Sequence, residues 1–87
     1  MPLKFTGVRV DDAANFRISI QASDENGRVP CYVSYEALQD HVGVDADPLD
    51  AFDAIAAEVQ QALRRKDQLR GRADDGSLNV GTADLQA

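Results

Sequence analysis

At 87 residues the chain holds one domain, and a chain this short has a thin stability margin that a second copy of itself would help. Its 44% apolar and 28% charged residues are ordinary for a globular protein and exclude extended disorder. A net charge of −6 argues against a phosphate-backbone binder, because such proteins carry a basic footprint.

The charge is unevenly spread. The first 58 residues carry eleven acids and four bases, whereas Val59 to Arg72 carry five bases and one acid. One local basic patch on an acidic body is therefore open. The lone Cys31 rules out an internal disulfide and fits a reducing compartment. "MPLKFTGVRV" lacks the apolar centre of a signal peptide. No stretch reaches the ~20 apolar residues that cross a bilayer. A cytoplasmic protein without a membrane partner is expected.

In chain order, "LKFTGVRV" predicts a first strand. Its apolar parity changes across Gly7, from Leu3 and Phe5 to Val8 and Val10. Either a bulge at Gly7 turns both sets toward one core, or the strand ends there. "DDAAN" makes the turn into a second strand, where Phe16, Ile18 and Ile20 alternate with Arg17, Ser19 and Gln21. Asn26-Gly27 signals a hairpin into a third strand, with Val29, Cys31 and Val33 on one side. Three strands joined by short turns imply an antiparallel meander. Pro30 lacks an N–H, so the third strand belongs at a sheet edge, at least near Pro30, or is bulged there.

After Ser34 the period lengthens. "SYEALQDHVG" predicts a short helix, with Ser34 as N-cap and Gly43 as stop. A long helix follows from Pro48 to about Arg70, with Asp47 as N-cap and Pro48 at the first helical position. Leu49, Phe52, Ile55, Ala56, Val59, Ala62 and Leu63 form its apolar stripe. Arg64, Arg65 and Lys66 suit its negative end, and Gly71 terminates it. "SLNV" predicts a last strand with Leu78 and Val80 inward. The expected architecture is a single α+β domain over 1–87, β-β-β-α-α-β, with an antiparallel sheet and its helices on one face. The ordered core runs over about 3–80, and a tail at 83–87 frays. The second sheet face shows Arg17, Ser19, Gln21 and Tyr32, polar enough to stay wet.

These landmarks resemble a family of short bacterial proteins known as domain of unknown function 1488. The resembling features are Phe5, the Phe16-Ile18-Ile20 strand, Gly27, "VPCYVSYEAL" from Val29 to Leu38, Phe52 and Ile55, and "LNVGTAD" from Leu78 to Asp84. The most specific is a strand with a central Cys running straight into Ser-x-Glu-Ala-Leu. The resemblance implies the α+β fold described above. It brings no established activity and no catalytic or ligand residues. The acid-rich "VDADPLD" and the tail past Asp84 are particular to this sequence.

Candidate chemistry is sparse. A cysteine nucleophile needs a base within reach. Cys31, however, alternates in register with Val29 and Val33, which predicts a buried and inert thiol. His41, near a helix end, faces water or caps. One His and one Cys are too few for a four-ligand zinc site. "DADPLD" fails the calcium-loop template: counted from Asp45, Asp50 stands at the glycine position and Ala56 at the glutamate position. No phosphate-binding glycine loop occurs. No cofactor, metal or catalytic residue is expected, and the chain reads as a non-enzyme.

The basic helix end is the feature to follow. A continuous helix from Pro48 to Arg70 would measure roughly 34 Å at ~1.5 Å per residue. The strands would measure roughly 23 Å. The overhang would carry Arg64, Arg65, Lys66, Leu69 and Arg70, with Arg72 just beyond. It would be solvated, or pack on a second copy with Leu63 and Leu69 buried there, or touch an acidic partner or nucleic acid. The expectation is a non-enzymatic interaction module that forms a homodimer, with an unknown protein partner also open. The alternative is a regulatory nucleic-acid binder using the basic end, which the acidic balance disfavours.

Overall fold

Three sequential strands, β1 (Lys4–Asp12), β2 (Arg17–Asp24) and β3 (Gly27–Ser34), form an antiparallel meander in the computed structural model of the chain. The structure describes residues 3–43, 45, 47–69 and 72–86. A fourth strand, β4 (Leu78–Val80), joins the outer side of β3 and completes the order β1-β2-β3-β4. β4 runs parallel to β3, with Cys31 opposite Leu78 and Val33 opposite Val80. The sheet is therefore mostly antiparallel, as expected, with β4 adding a parallel pairing that makes it mixed. The helices between β3 and β4 form a crossover that returns the chain to the end where β3 began, as a parallel pair requires.

Pro30 sits where the missing N–H does least harm. It faces Gln21 on β2, while β4 reaches only Cys31 to Val33, so β3 is an edge at Pro30 and central beyond it. Leu78 and Val80 point inward, as expected.

α1 (Tyr35–Val42) starts where predicted: the Ser34 hydroxyl accepts from the Ala37 N–H at 3.1 Å, and Gly43 ends the helix at φ 128°. The Asp47 carboxylate accepts from the Leu49 N–H at 3.2 Å and caps α2 (Pro48–Ala54). The predicted long helix is broken at Ile55 (φ −125°, ψ 24°), and α3 (Ala56–Gln68) continues from there. "FDAIAAE" holds no proline or glycine that would dictate this. The two halves differ in what they pack on: α2 lies against β1 and β2, while α3 lies against β4. The break lets both follow the sheet. The apolar stripe is preserved across it, and Phe52, Ile55, Val59, Ala62 and Leu63 are all buried. A rigid 34 Å rod with a two-turn overhang does not form, because α3 alone is 13 residues long.

Within the tail expected to fray, a short helix, α4 (Thr82–Gln86), packs on α1, and Ala87 lies outside the described residues. The Thr82 hydroxyl donates to Asp40 at 2.8 Å, the Asp84 carboxylate accepts from the Gly81 N–H at 2.9 Å, and Leu85 rests against the core. The Gly81–Asp84 contact is local, but the Thr82–Asp40 contact and the packing of Leu85 lie too far apart in sequence for local patterns to show them.

The core is one cluster between the sheet and the helices. Ile18, Ile20, Ala22, Val29, Cys31, Val33, Leu78 and Val80 meet Ala37, Leu38, Phe52, Val59 and Leu63. Phe16 is not among them. It lies outside β2 in the left-handed region at φ 54° and is 71% exposed. The alternation thus extends one residue too far in the sequence: the turn before β2 needs its final residue in a left-handed conformation, which lifts Phe16 off the core face.

Candidate functional site

The strand register explains the most unusual surface of the molecule. On β1, Phe5 lies opposite Ala22, yet Arg9, four residues later, lies opposite Ile20, only two residues earlier. β1 therefore carries two extra residues around Gly7, which takes φ 88°. A one-residue bulge would have moved Val8 and Val10 to the core, as anticipated for Gly7. Two extra residues leave the parity unchanged. Arg9 takes the inward register and reaches α2, where its Nε and Nη2 donate to the two Asp53 oxygens at 2.8 and 2.7 Å. Val8 and Val10 are left on the uncovered face, 50% and 57% exposed.

That face carries Thr6, Val8, Val10 and Asp12 from β1, Arg17, Ser19 and Gln21 from β2, and Arg28, Pro30 and Tyr32 from β3. Val8, Val10, Ser19, Gln21, Arg28 and Pro30 border a shallow depression of about 290 Å³. At one end Arg17 stacks over Tyr32 at 3.6 Å from the ring centre and donates to Asp12 at 2.9 Å. This Arg17 contact holds the Asp12 carboxyl below its usual range. The polar residues expected there are present, but the face is more apolar than Arg17, Ser19, Gln21 and Tyr32 alone imply. The parity change across Gly7 was the available signal, and the size of the bulge decided its meaning.

The residues singled out at the basic end do not converge on one outward patch. Arg64 lies over the Phe5 ring at 5.0 Å. Arg65 is exposed in the last turn of α3. Lys66 turns back and donates to the Asn79 carbonyl oxygen and, at 3.0 Å, to Asp84. Arg72 donates to Asp67 at 2.7 Å and to Asp24 at 2.8 Å, tying the β2–β3 turn to the segment after α3. Arg72 and the Asn26 N–H hold the Asp24 carboxyl below its ordinary value. Leu63 is fully buried in the chain's own core, so it is not available to a partner as the overhang required, whereas Leu69 is 76% exposed. Arg70 and the predicted terminator Gly71 lie outside the described residues.

Cys31 is fully buried, and its thiol donates to the Val29 carbonyl at 3.5 Å. Burial pushes the thiol pKa up to about 11. His41 is exposed at the end of α1, beside a shallow notch bordered by Asp40, Thr82 and Leu85. Tyr35 donates its hydroxyl to Asp11, and chiefly for that reason its pKa is pushed up to about 12. Among the described residues, no group of three or more His, Cys, Asp or Glu could hold a metal ion. No described helix is long and apolar enough to cross a membrane.

Fold and surface together define a small α+β domain with one sheet face packed under helices and the other bare. The chain belongs to the DUF1488 family of proteins of unknown function, whose sequence profile matches residues 3–80. Its fold is similar to a 1.60 Å crystal structure of a protein of unknown function from that family from Shewanella loihica PV-4. The two share 14% identity over 91% of each chain, with a TM-score of 0.83, a likeness that shows the fold. No curated protein matches the chain.

Proposed function

We propose that this protein is a non-enzymatic interaction module of the cytoplasm that self-associates through its uncovered sheet face. One observation carries the reading: Val8 and Val10 stand half-exposed on a face where Pro30 adds further apolar surface. Apolar side chains exposed on β1 and β3 of a bare sheet face, with polar Ser19 and Gln21 of β2 between them, favour an interaction site. β1 also offers an open edge, but its two-residue bulge interrupts the row of backbone groups that strand addition needs. The non-catalytic part rests on Cys31, whose thiol stays protonated and out of reach of reagents near neutral pH. The single cysteine fits that location.

Sedimentation across a concentration series tests the reading. Wild type is expected to move from the 9.4 kDa chain mass toward twice that value as concentration rises. Val10→Asp, at an exposed position, is expected to stay monomeric with unchanged circular dichroism. A wild type that remains monomeric at millimolar concentration would sink the reading. Native protein that iodoacetamide labels at Cys31 at pH 8 would reopen a catalytic one.

A further inference from the structure

The uncovered face also dictates how two copies fit, given the self-association read above. Its charges are arranged in rows across the strands. At one end Lys4, Ser23 and Arg28 lie side by side, since Lys4 pairs with Ser23 and Ser23 with Arg28. At the other end Asp12, Arg17 and Ser34 lie side by side. Between them run Thr6 and Val8 with Gln21 and Pro30, then Val10 with Ser19 and Tyr32. The row at one end thus holds two bases and no acid, with Glu25 in the turn beyond it, and the row at the other offers a carboxylate already paired on one side with Arg17.

If this short face packs in the aligned class of face-to-face sheets, strands of the two sheets run within about 30° of each other. In a two-fold dimer the axis must lie in the interface, either along the strands or across them. An axis along the strands exchanges β1 with β3 and holds each end in place. Lys4 would then meet Arg28 of the second copy, twice over, with like charges opposed. An axis across the strands exchanges the two ends. Lys4 then meets Asp12 of the second copy, Arg28 meets Ser34, and Val8 meets Val10 at the centre.

We propose that two copies of this chain pack through their uncovered sheet faces about a two-fold axis crossing the strands, with Lys4 of each against Asp12 of the other. The face is small, roughly 26 Å along the strands and roughly 14 Å across three of them. Its outline of roughly 360 Å² is less than half of the about 800 Å² per partner of a standard interface. The pair is therefore weak and concentration-dependent, and charge placement rather than area selects its register.

The test uses the full chain. Single variants Lys4→Cys, Asp12→Cys and Arg28→Cys are mixed in pairs and treated with a short bifunctional maleimide at a concentration where wild type is dimeric. Cys31 is fully buried, so wild type serves as the blank. Cross-linked dimer is expected from the 4/12 mixture and not from the 4/28 mixture. Lys4→Glu, which puts two carboxylates together at both ends of the interface, is expected to weaken the dimer about tenfold. Cross-linking at 4/28 in place of 4/12, or a Lys4→Glu dimer as tight as wild type, overturns the register and leaves self-association standing. Wild-type protein that never dimerises overturns the reading beneath it.

Discussion

The two faces of one sheet are made from the same strands and have opposite characters. The covered face presents Ile18, Ile20, Cys31, Val33, Leu78 and Val80, all buried under α1, α2 and α3. The uncovered face presents Ser19, Gln21, Arg28 and Tyr32 but also Val8 and Val10. On β2 and β3 strict alternation separates the two sets. On β1 the separation depends on a bulge, and two apolar residues end up facing out. A strand's pattern therefore tells which residues travel together. The register tells which side they travel on.

Substitutions on the two faces should differ sharply. The largest effect belongs to the covered face: Ile18→Ala, at a fully buried position, is expected to cost about 2–5 kcal/mol in urea unfolding. Next is the bulge that sets the orientation of β1. Gly7 stands at φ 88° with open space on the side where a methyl group would project, so Gly7→Ala meets a conformational penalty and no clash. The expected loss is about 1–2 kcal/mol by thermal or urea melting.

Acid comes third. Asp24 and Asp53 are held below their ordinary carboxylate values, chiefly by hydrogen bonds from Arg72 and Arg9. A lowered folded-state value means that the stabilisation is present above the unfolded-state value, about 3.9 for Asp, and is lost as pH falls through the folded one. Stability should therefore be level near neutrality and decline below about pH 4. Asp24→Asn should make that decline shallower in a series of urea midpoints. The smallest effect belongs to the bare face, where Val10→Ala should leave monomer stability within about 0.5 kcal/mol. A loss there as large as that of Ile18→Ala would erase the distinction between the faces.

Much of the fold was legible where one local rule sufficed. Alternation placed β2 and β3, the Ser34 and Asp47 caps placed two helix starts, and Leu78 with Val80 placed β4. What stayed hidden depends on distant partners. The break at Ile55 follows from what α2 and α3 each pack against. The parallel sense of β4 is absent from a three-residue strand such as "LNV". The basic residues looked like one patch because they are close in sequence. Lys66 and Arg72 instead find Asp84 and Asp24, 18 and 48 residues away. The apolar surface at Val8 and Val10 required counting the extra residues opposite Gln21, which only the paired strands reveal.

The position of β4 has a consequence for how the chain acquires its structure. β1, β2 and β3 can zip together as neighbours as soon as they are synthesised, but the free side of Cys31 to Val33 must wait for Leu78, across more than forty intervening residues. Closing so long a loop is slow compared with forming a hairpin. During synthesis a sticky β3 border is thus exposed for the whole time it takes to make and dock the helices, and that interval is when a nascent chain of this kind is most open to mispairing with its neighbours.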